Sequence, residues 1–420
     1  MKFVHAADVH LDSPLSGLER YEGAPVEEIR GATRRAFENL VDLALEEEAA
    51  FVLLAGDIYD GDWKDYNTGL FFTHQLARLQ EGGVRAFVVA GNHDAASQIT
   101  KVLRLPPSVH LFSTRSPESV VLDAFGVAIH GQGFPTRSVT EDLAGAYPLG
   151  DSQLFNIGFL HTSLDGRPGH QPYAPCTLDG LRSRGYQYWA LGHVHTREVI
   201  AENPWVVFPG NTQGRHARET GPKGCSLVTV EDGQVQKVEF RSLDVVRWVT
   251  CAVDLTGVGS LDEVYERVSG ELRAAVGEAE GRLVASRIRL AGACPVHGRL
   301  RSDREQLVNE CRALATGIAA NDLWVEKVVI DTCQAESEAT ALGRDDAFGG
   351  LLRSIRDLEL DAQRLSDLAS DFADLAAKLP VELRAGEDAF DPMQPALLRE
   401  YLEDVKALLL ERLLRQGGVA

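Results

Sequence analysis

Five apolar runs in the first half of the chain each stop on metal-friendly polar side chains, and this pattern constrains the fold more than any other feature of the sequence. The clearest run is Val88-Val89-Ala90-Gly91-Asn92-His93-Asp94. The others deliver Asp8-Val9-His10 after residues 3–7, Gly56-Asp57 after residues 51–55, His161 after Gly158-Phe159-Leu160, and Gly192-His193-Val194-His195 after residues 188–191. β-Branched and apolar residues suit strands, and a terminal glycine allows backbone angles that other residues resist. Asn, His and Asp in succession are misplaced for packing. They suit a site at the carboxyl ends of strands, where open α/β sheets hold their ligands.

The spacing predicts strands over 3–7, 51–55 and 84–90, with helices over 26–49 and 66–79 between them. That alternation indicates a sheet with helices on its faces, its strands parallel, so that the polar ends meet on one edge. Past Leu105-Pro106-Pro107 strand patterns dominate, over 119–122, 127–130, 155–161, 188–191, 205–208, 225–230 and 235–241. A second group of strands packed on the first, a layered sandwich, is expected. From about Asp244 a β-α-β-α-β pattern begins, with strands over 248–255, 283–290 and 324–330 and helices over 260–276 and 302–319. After Glu336 only helical patterns remain, over 348–379 and 395–414. Three regions follow: 1–244, 245–335 as a small α/β capping domain, and 336–420 as a helical tail.

The 420 residues carry 42 Lys and Arg against 62 Asp and Glu, a formal charge of −20. This argues against coating DNA non-specifically, which needs many cationic contacts to phosphate. It does not exclude a local grip on nucleic acid, since bound metal ions bring their own charge. Cys176, Cys225, Cys251, Cys294, Cys311 and Cys333 form no Cys-x-x-Cys pair and read as reduced core residues. With no secretory pattern and no apolar stretch of membrane-spanning length, a cytoplasmic location without membrane attachment is expected.

Carboxylate, imidazole and amide oxygen together suit divalent manganese, iron or zinc. Seven candidates, Asp8, His10, Asp57, Asn92, His161, His193 and His195, are too many for one tetrahedral ion and suit two that share a carboxylate. Two adjacent ions activate a water and neutralise charge on a phosphoryl group during in-line displacement. Asp57 is the candidate bridge. His93, next to Asn92, points elsewhere and is placed as general acid for the leaving oxygen, with Asp94 orienting its ring or stabilising its charged form. Taken alone, His161 reads as a core histidine; its companions make it a ligand candidate. His193 and His195, spaced by two on one strand end, should face one side. Asp60 and Asp62 read as solvated loop carboxylates or supporting partners, and His5 and His130 as structural. Arg215, His216, Arg218 and Lys223 form a local basic cluster, read either as a solvated loop or as an edge that grips phosphate.

Asp8-x-His10, Gly56-Asp57-Ile58-Tyr59-Asp60, Gly91-Asn92-His93-Asp94, His161 and Gly192-His193-Val194-His195 resemble the five signatures of calcineurin-like metallophosphoesterases. In order and spacing they are most similar to SbcD-type DNA double-strand-break repair nucleases. Residues 6–15 and 209–216 resemble the YhaO-type bacterial branch. The resemblance covers roughly residues 1–240. It implies one metal held by Asp8, His10, Asp57 and His195, a second held by Asp57, Asn92, His161 and His193, and His93 as the catalytic histidine. It implies two divalent ions, manganese being the usual activating one, and phosphodiester hydrolysis on DNA as an exo- or endonuclease in repair. The partner it implies is an SMC-like coiled-coil ATPase, and pairing into a homodimer stays open. A small-molecule phosphodiesterase of the cyclic-nucleotide type and a non-enzymatic scaffold are the alternatives. In one departure, the first signature often continues His-Leu-Gly, where this chain has His10-Leu11-Asp12.

Overall fold

The computed structural model describes residues 1–13, 25–60, 66–96, 104–166, 172–334, 338–359, 361–373 and, in the tail, 398–399, 401–403, 405–406, 409–410 and 413. The strands are β1 (Lys2–Ala6), β2 (Phe51–Ala55), β3 (Arg85–Val89), β4 (Val109–Leu111), β5 (Glu118–Leu122), β6 (Val127–Gly131), β7 (Phe155–His161), β8 (Tyr188–Gly192), β9 (Glu198–Glu202), β10 (Trp205–Phe208), β11 (Gly224–Glu231), β12 (Gln234–Ser242), β13 (Val246–Asp254), β14 (Leu283–Cys294) and β15 (Leu323–Gln334). One six-stranded sheet runs β12-β11-β1-β2-β3-β4 and a second runs β5-β6-β7-β8-β10-β9. The pairs β1–β2, β2–β3, β6–β7 and β7–β8 are parallel, so the ends of β1, β2 and β3 open on one edge and those of β7 and β8 on theirs.

The two sheets pack face to face through alternate side chains. Phe3, Phe51, Leu53, Phe87 and Val89 of the first join Ile157, Phe159, Tyr188 and Val207 of the second in one core cluster. The intervening residues, among them Val4, Val52, Leu54 and Val88, face the helices α2 (Ala32–Glu46) and α3 (Tyr66–Glu81) through Phe37, Leu40, Phe72 and Leu76; further short helices are α1 (Val26–Arg30), α4 (Asn92–Ala96), α5 (Leu178–Arg182) and α9 (Glu338–Leu342). On the outer face of the second sheet Leu160, Trp189 and Leu191 are covered by Tyr147 and Leu181. Central strands buried on both faces must be apolar throughout, which is why they read as unbroken runs. The result is a sandwich of two sheets with helices outside, as expected.

Some boundaries differ from expectation. The helix expected over 26–49 is split at Gly31, the poorest helix former after proline. Strands β4 and β9 escape a reading by hydrophobicity because they are short, half-exposed edges. The helix expected over 348–379 is two, α10 (Ala347–Arg356) and α11 (Ala362–Asp371), each opened by an aspartate cap: Asp346 accepts from the Gly349 N–H and Asp361 from the Arg364 N–H. Such caps mark helix starts inside a continuous periodic pattern. Most of 395–414 lies outside the described residues. Of its apolar stripe, Leu398 is buried against Leu365 and Ala369, while Val405 and Leu409 are exposed.

A third sheet, β13-β14-β15, has α6 (Leu261–Glu278) between its first two strands, and α7 (His297–Ser302) and α8 (Arg304–Ala319) between the second and third. The chain divides into two compact units, Met1–Cys251 with Ser269–Ile288 and Arg312–Lys327, and Ala252–Val268 with Arg289–Cys311 and Val328–Ala420. All six cysteines are unpaired, and all but Cys333 are buried. Among the described residues no helix is long and apolar enough to cross a membrane.

His5 is structural, as expected. It lies fully buried between the sheets, with Nδ1 3.0 Å from the Tyr188 hydroxyl and Nε2 3.1 Å from the Leu191 carbonyl. Burial holds its pKa down at about 3, against the carbonyl's opposing pull. Folded protein then binds fewer protons than unfolded protein between about 3 and the ordinary value near 6.5. Stability from this group is complete above that ordinary value and is lost as pH falls, by up to about 1.4 kcal/mol per pH unit. Urea melts of wild type and His5→Gln from pH 7.5 to 5 should therefore show a shallower pH slope in the variant; equal slopes would remove His5 from the account.

Candidate metal centre

The five polar groups meet at the ends of the strands, in the unit containing Met1–Cys251. Asp8, His10 and His195 place one ligating atom each within 4.8 Å of one another, and so do Asp57, His161 and His193. Asp57 Oδ2 lies between the clusters, 3.5 Å from His161 Nε2 and 3.9 Å from His10 Nε2. Asn92 joins the second cluster, its Oδ1 3.0 Å from His161 Nε2.

The backbone here is strained. Asp8, His10, Asp57 and His193 have φ of 50°, 46°, 53° and 100°. Non-glycine residues seldom adopt such angles, at a cost of about 1–3 kcal/mol each, and they persist only where the surroundings impose them. Here the loops after β1 and β2 stay bonded to each other beyond the sheet: Asp8 N–H to Gly56 C=O, His10 N–H to Asp57 C=O and Leu11 N–H to Ile58 C=O. The Asp8 carboxylate accepts from the His193 N–H at 2.9 Å, and Asp57 Oδ1 from the His93 N–H at 2.9 Å. Strand ends also come unusually close. A Cβ on Gly192 would lie 1.8 Å from the Ala55 carbonyl, and one on Gly91 would lie 2.3 Å from Asp57 Oδ1. At the family's glycine position, Asp12 has φ 53°, and its carboxylate is held by Arg34 and Thr68.

The donors fit divalent cations. His161 Nδ1 is 2.9 Å from the Ala55 carbonyl, which can only accept, so Nδ1 carries the hydrogen and the Nε2 lone pair faces Asn92 Oδ1. His10 Nε2 and His195 Nε2 face each other at 3.3 Å. That gap suits a single shared hydrogen or, when both nitrogens present lone pairs, a cation among them. Burial, then the nearby Arg215 charge, keeps His10 well below the usual histidine range and so neutral. Burial, then repulsion by Asp57, pushes Asp8 up, and burial pushes Asp57 up. Two buried carboxylates this close cannot both stay charged without positive charge beside them. Nitrogen and oxygen donors without thiolate suit manganese, iron or zinc.

Three expectations need correction. His193 and His195 do not face one side of a strand, because β8 ends at Gly192; the left-handed turn at His193 sends the two rings to different clusters. The carboxylate facing the His93 ring is Asp60, while Asp94 favours the ring's charged form through its own charge. Asp60 Oδ1 is 3.0 Å from His93 Nδ1 and 3.6 Å from His10 Nδ1, whereas Asp94 accepts from the N–H groups of Ile58, Tyr59 and Gly91 and so ties the Asp57 loop to the Asn92 turn. Burial opposes charge on Asp60, but His10 and His93 outweigh it and hold the carboxyl well below the usual range. Burial lowers and Asp60 raises His93, with a net rise. Burial and Asp57 push Asp94 to about 6. Third, the basic cluster is not one surface. Arg215 and Lys223 are largely buried, Arg215 against Glu219 at 3.0 Å and Lys223 donating to the His195 carbonyl, while His216 is exposed. Asp62 lies outside the described residues. Glu219 was missed: its carboxylate sits 2.7 Å from His195 Nδ1, within a stretch whose sequence showed only its basic members.

The sandwich and the paired donor clusters at its strand ends are those of a metallophosphoesterase. A family model for calcineurin-like phosphoesterases matches residues 1–197, and one for the middle domain of metallophosphoesterase YhaO matches residues 248–333. The uncharacterized metallophosphoesterase YhaO of Bacillus subtilis is 35% identical over 375 residues, 88% of this chain and 89% of that protein. The DNA double-strand break repair protein Mre11 of Methanopyrus kandleri is 27% identical over 297 residues, 64% of this chain and 62% of that protein, less than two thirds of its length. Among solved structures, a dimetal phosphatase from Danio rerio is 13% identical over 55% of this chain and 93% of its own, with a TM-score of 0.35. The chain belongs to the calcineurin-like metallophosphoesterase family, in the branch of YhaO. Membership implies a metal-dependent phosphoester hydrolase.

Asp57 stands between both clusters, so Asp57→Ala should lose both ions, and with them the stabilisation that metal gives wild type. At a hundredfold excess over Kd that stabilisation is about 2.7 kcal/mol per site. Elemental analysis and melts with and without manganese test this; one tightly held ion in wild type would defeat the shared site.

Proposed function

We propose that this chain hydrolyses phosphodiester bonds in DNA with two divalent ions, manganese being the expected pair. The reading rests on one observation: Asp57, clustered with His161 and His193 and with Asn92 beside them, also comes within 3.9 Å of His10 in the cluster of Asp8, His10 and His195. When bound, such ions activate water and neutralise charge on the phosphoryl oxygens. The chain's own residues supply the rest. Asp8 and Asp57 are held by backbone N–H groups, so the donors keep their places. His93 belongs to neither of these clusters, its nitrogen grouping instead with His10 and Asp60, and its side chain is 28% exposed, so one edge can reach a substrate. Asp60, 3.0 Å from Nδ1, raises its proton affinity, leaving Nε2 to give a proton to the leaving oxygen.

DNA as substrate is supported by the likeness to the DNA double-strand break repair protein Mre11. An SMC-like ATPase as partner is part of the same proposal; exposed Val405 and Leu409 in the tail suit a docking helix. With a charge of −20, the isolated chain should bind DNA weakly and with a shallow salt slope.

The purified chain with manganese should cleave single-stranded or duplex DNA. Cleavage of a small chromogenic phosphodiester alone would overturn the DNA reading and leave a small-molecule phosphodiesterase. His93→Gln should keep both ions and lose about 10²–10⁴ in rate. Loss of an ion in that variant would instead make His93 a ligand.

A further inference from the structure

We propose that Glu219 is a positioning residue that fixes His195 for metal binding, and that Arg215 fixes Glu219 in turn. Glu219 Oε1 lies 2.7 Å from His195 Nδ1. Arg215 Nη2, which can only donate, also lies 3.2 Å from Nδ1, but the Glu219 carboxylate is nearer by half an ångström and can only accept, so Nδ1 carries the hydrogen, and the Nε2 lone pair is turned toward His10 Nε2 at 3.3 Å and Asp8 Oδ1 at 3.9 Å. The ring is thereby held in both rotation and tautomer. An unsupported imidazole would spend part of its time with the hydrogen on Nε2, where it cannot bind a cation.

Glu219 is itself over-determined. Oε2 accepts from the Arg215 backbone N–H at 2.8 Å and from Asn211 Nδ2 at 3.0 Å, and Oε1 accepts from the Arg215 guanidinium at 3.0 Å. The carboxylate is buried. Burial opposes its charge, but His195 and Arg215 outweigh that and hold it well below the usual carboxylate range. The Arg215 guanidinium also lies 3.9 Å from Asp60, the carboxylate that faces His93. One buried cation thus ties the support of a candidate ligand to the support of the candidate acid. A carboxylate behind a metal-binding histidine typically contributes 10–100-fold in metal affinity.

This inference rests on the two-ion reading, and the test separates them. Manganese is titrated into the metal-free full chain and followed by electron paramagnetic resonance, with melts to confirm folding. Glu219→Ala should bind one ion as wild type does and the other about 10–100-fold more weakly. Glu219→Gln, whose amide oxygen still accepts from Nδ1, should recover most of that affinity. Glu219→Asp keeps the charge but withdraws the acceptor by one methylene, and should lose the same ion; it serves if the alanine variant does not fold. Wild-type affinity for both ions in the Asp or Ala variant, or equal losses in Gln and Ala, would overturn the role of Glu219. The wild-type stoichiometry alone tests the two-ion reading, so either can fail without the other.

Discussion

The centre is organised by like charge brought too close. Asp8 and Asp57 are buried side by side, burial raising the proton affinity of both and the Asp57 charge raising that of Asp8 further, an arrangement that a fold driven only by stability would avoid. What keeps them together is backbone: paired loops beyond β1 and β2, and N–H groups from His93 and His193 aimed at the carboxylates. The sandwich accepts local strain at four candidate ligands because its core gives a rigid frame on which to hold them. The layers of phenylalanine between the sheets and the left-handed turns at their edge are therefore one design.

Much of this was readable in the sequence, for a physical reason. A strand buried on both faces has to be apolar, so any Asp or His at its end stands out, and all seven candidate ligands declare themselves this way. Side-chain direction did not. A period-two rule put His193 and His195 on one side, and a single turn at φ 100° overrode it. Residues outside the apolar runs were also invisible. Asp60 sits in a loop where a carboxylate ordinarily meets water, and Glu219 sits in a stretch that looked basic. Proximity across the fold, to His93 in one case and His195 in the other, gives these residues their meaning.

Helix boundaries show the same limit. Hydrophobic spacing joined α10 to α11, because both present an apolar face with one period. Only Asp346 and Asp361, through hydrogen bonds to backbone N–H groups, separate the two starts. Arg215 is a further case. In the sequence its charge suggested a phosphate contact, yet in the fold that charge is spent internally among Glu219, Asp60 and Asp8.

The glycines at the strand ends have an evolutionary corollary. At position 91 a methyl group would press on Asp57 Oδ1 from 2.3 Å, and at position 192 it would collide with the Ala55 carbonyl. Neither clash lies among the aromatic side chains between the sheets. A lineage of such chains has little room to drift by degrees from active to inactive. One base change at either strand end would have to move the Ala55 carbonyl or the Asp57 carboxylate, and so would reach the centre before it reached the core.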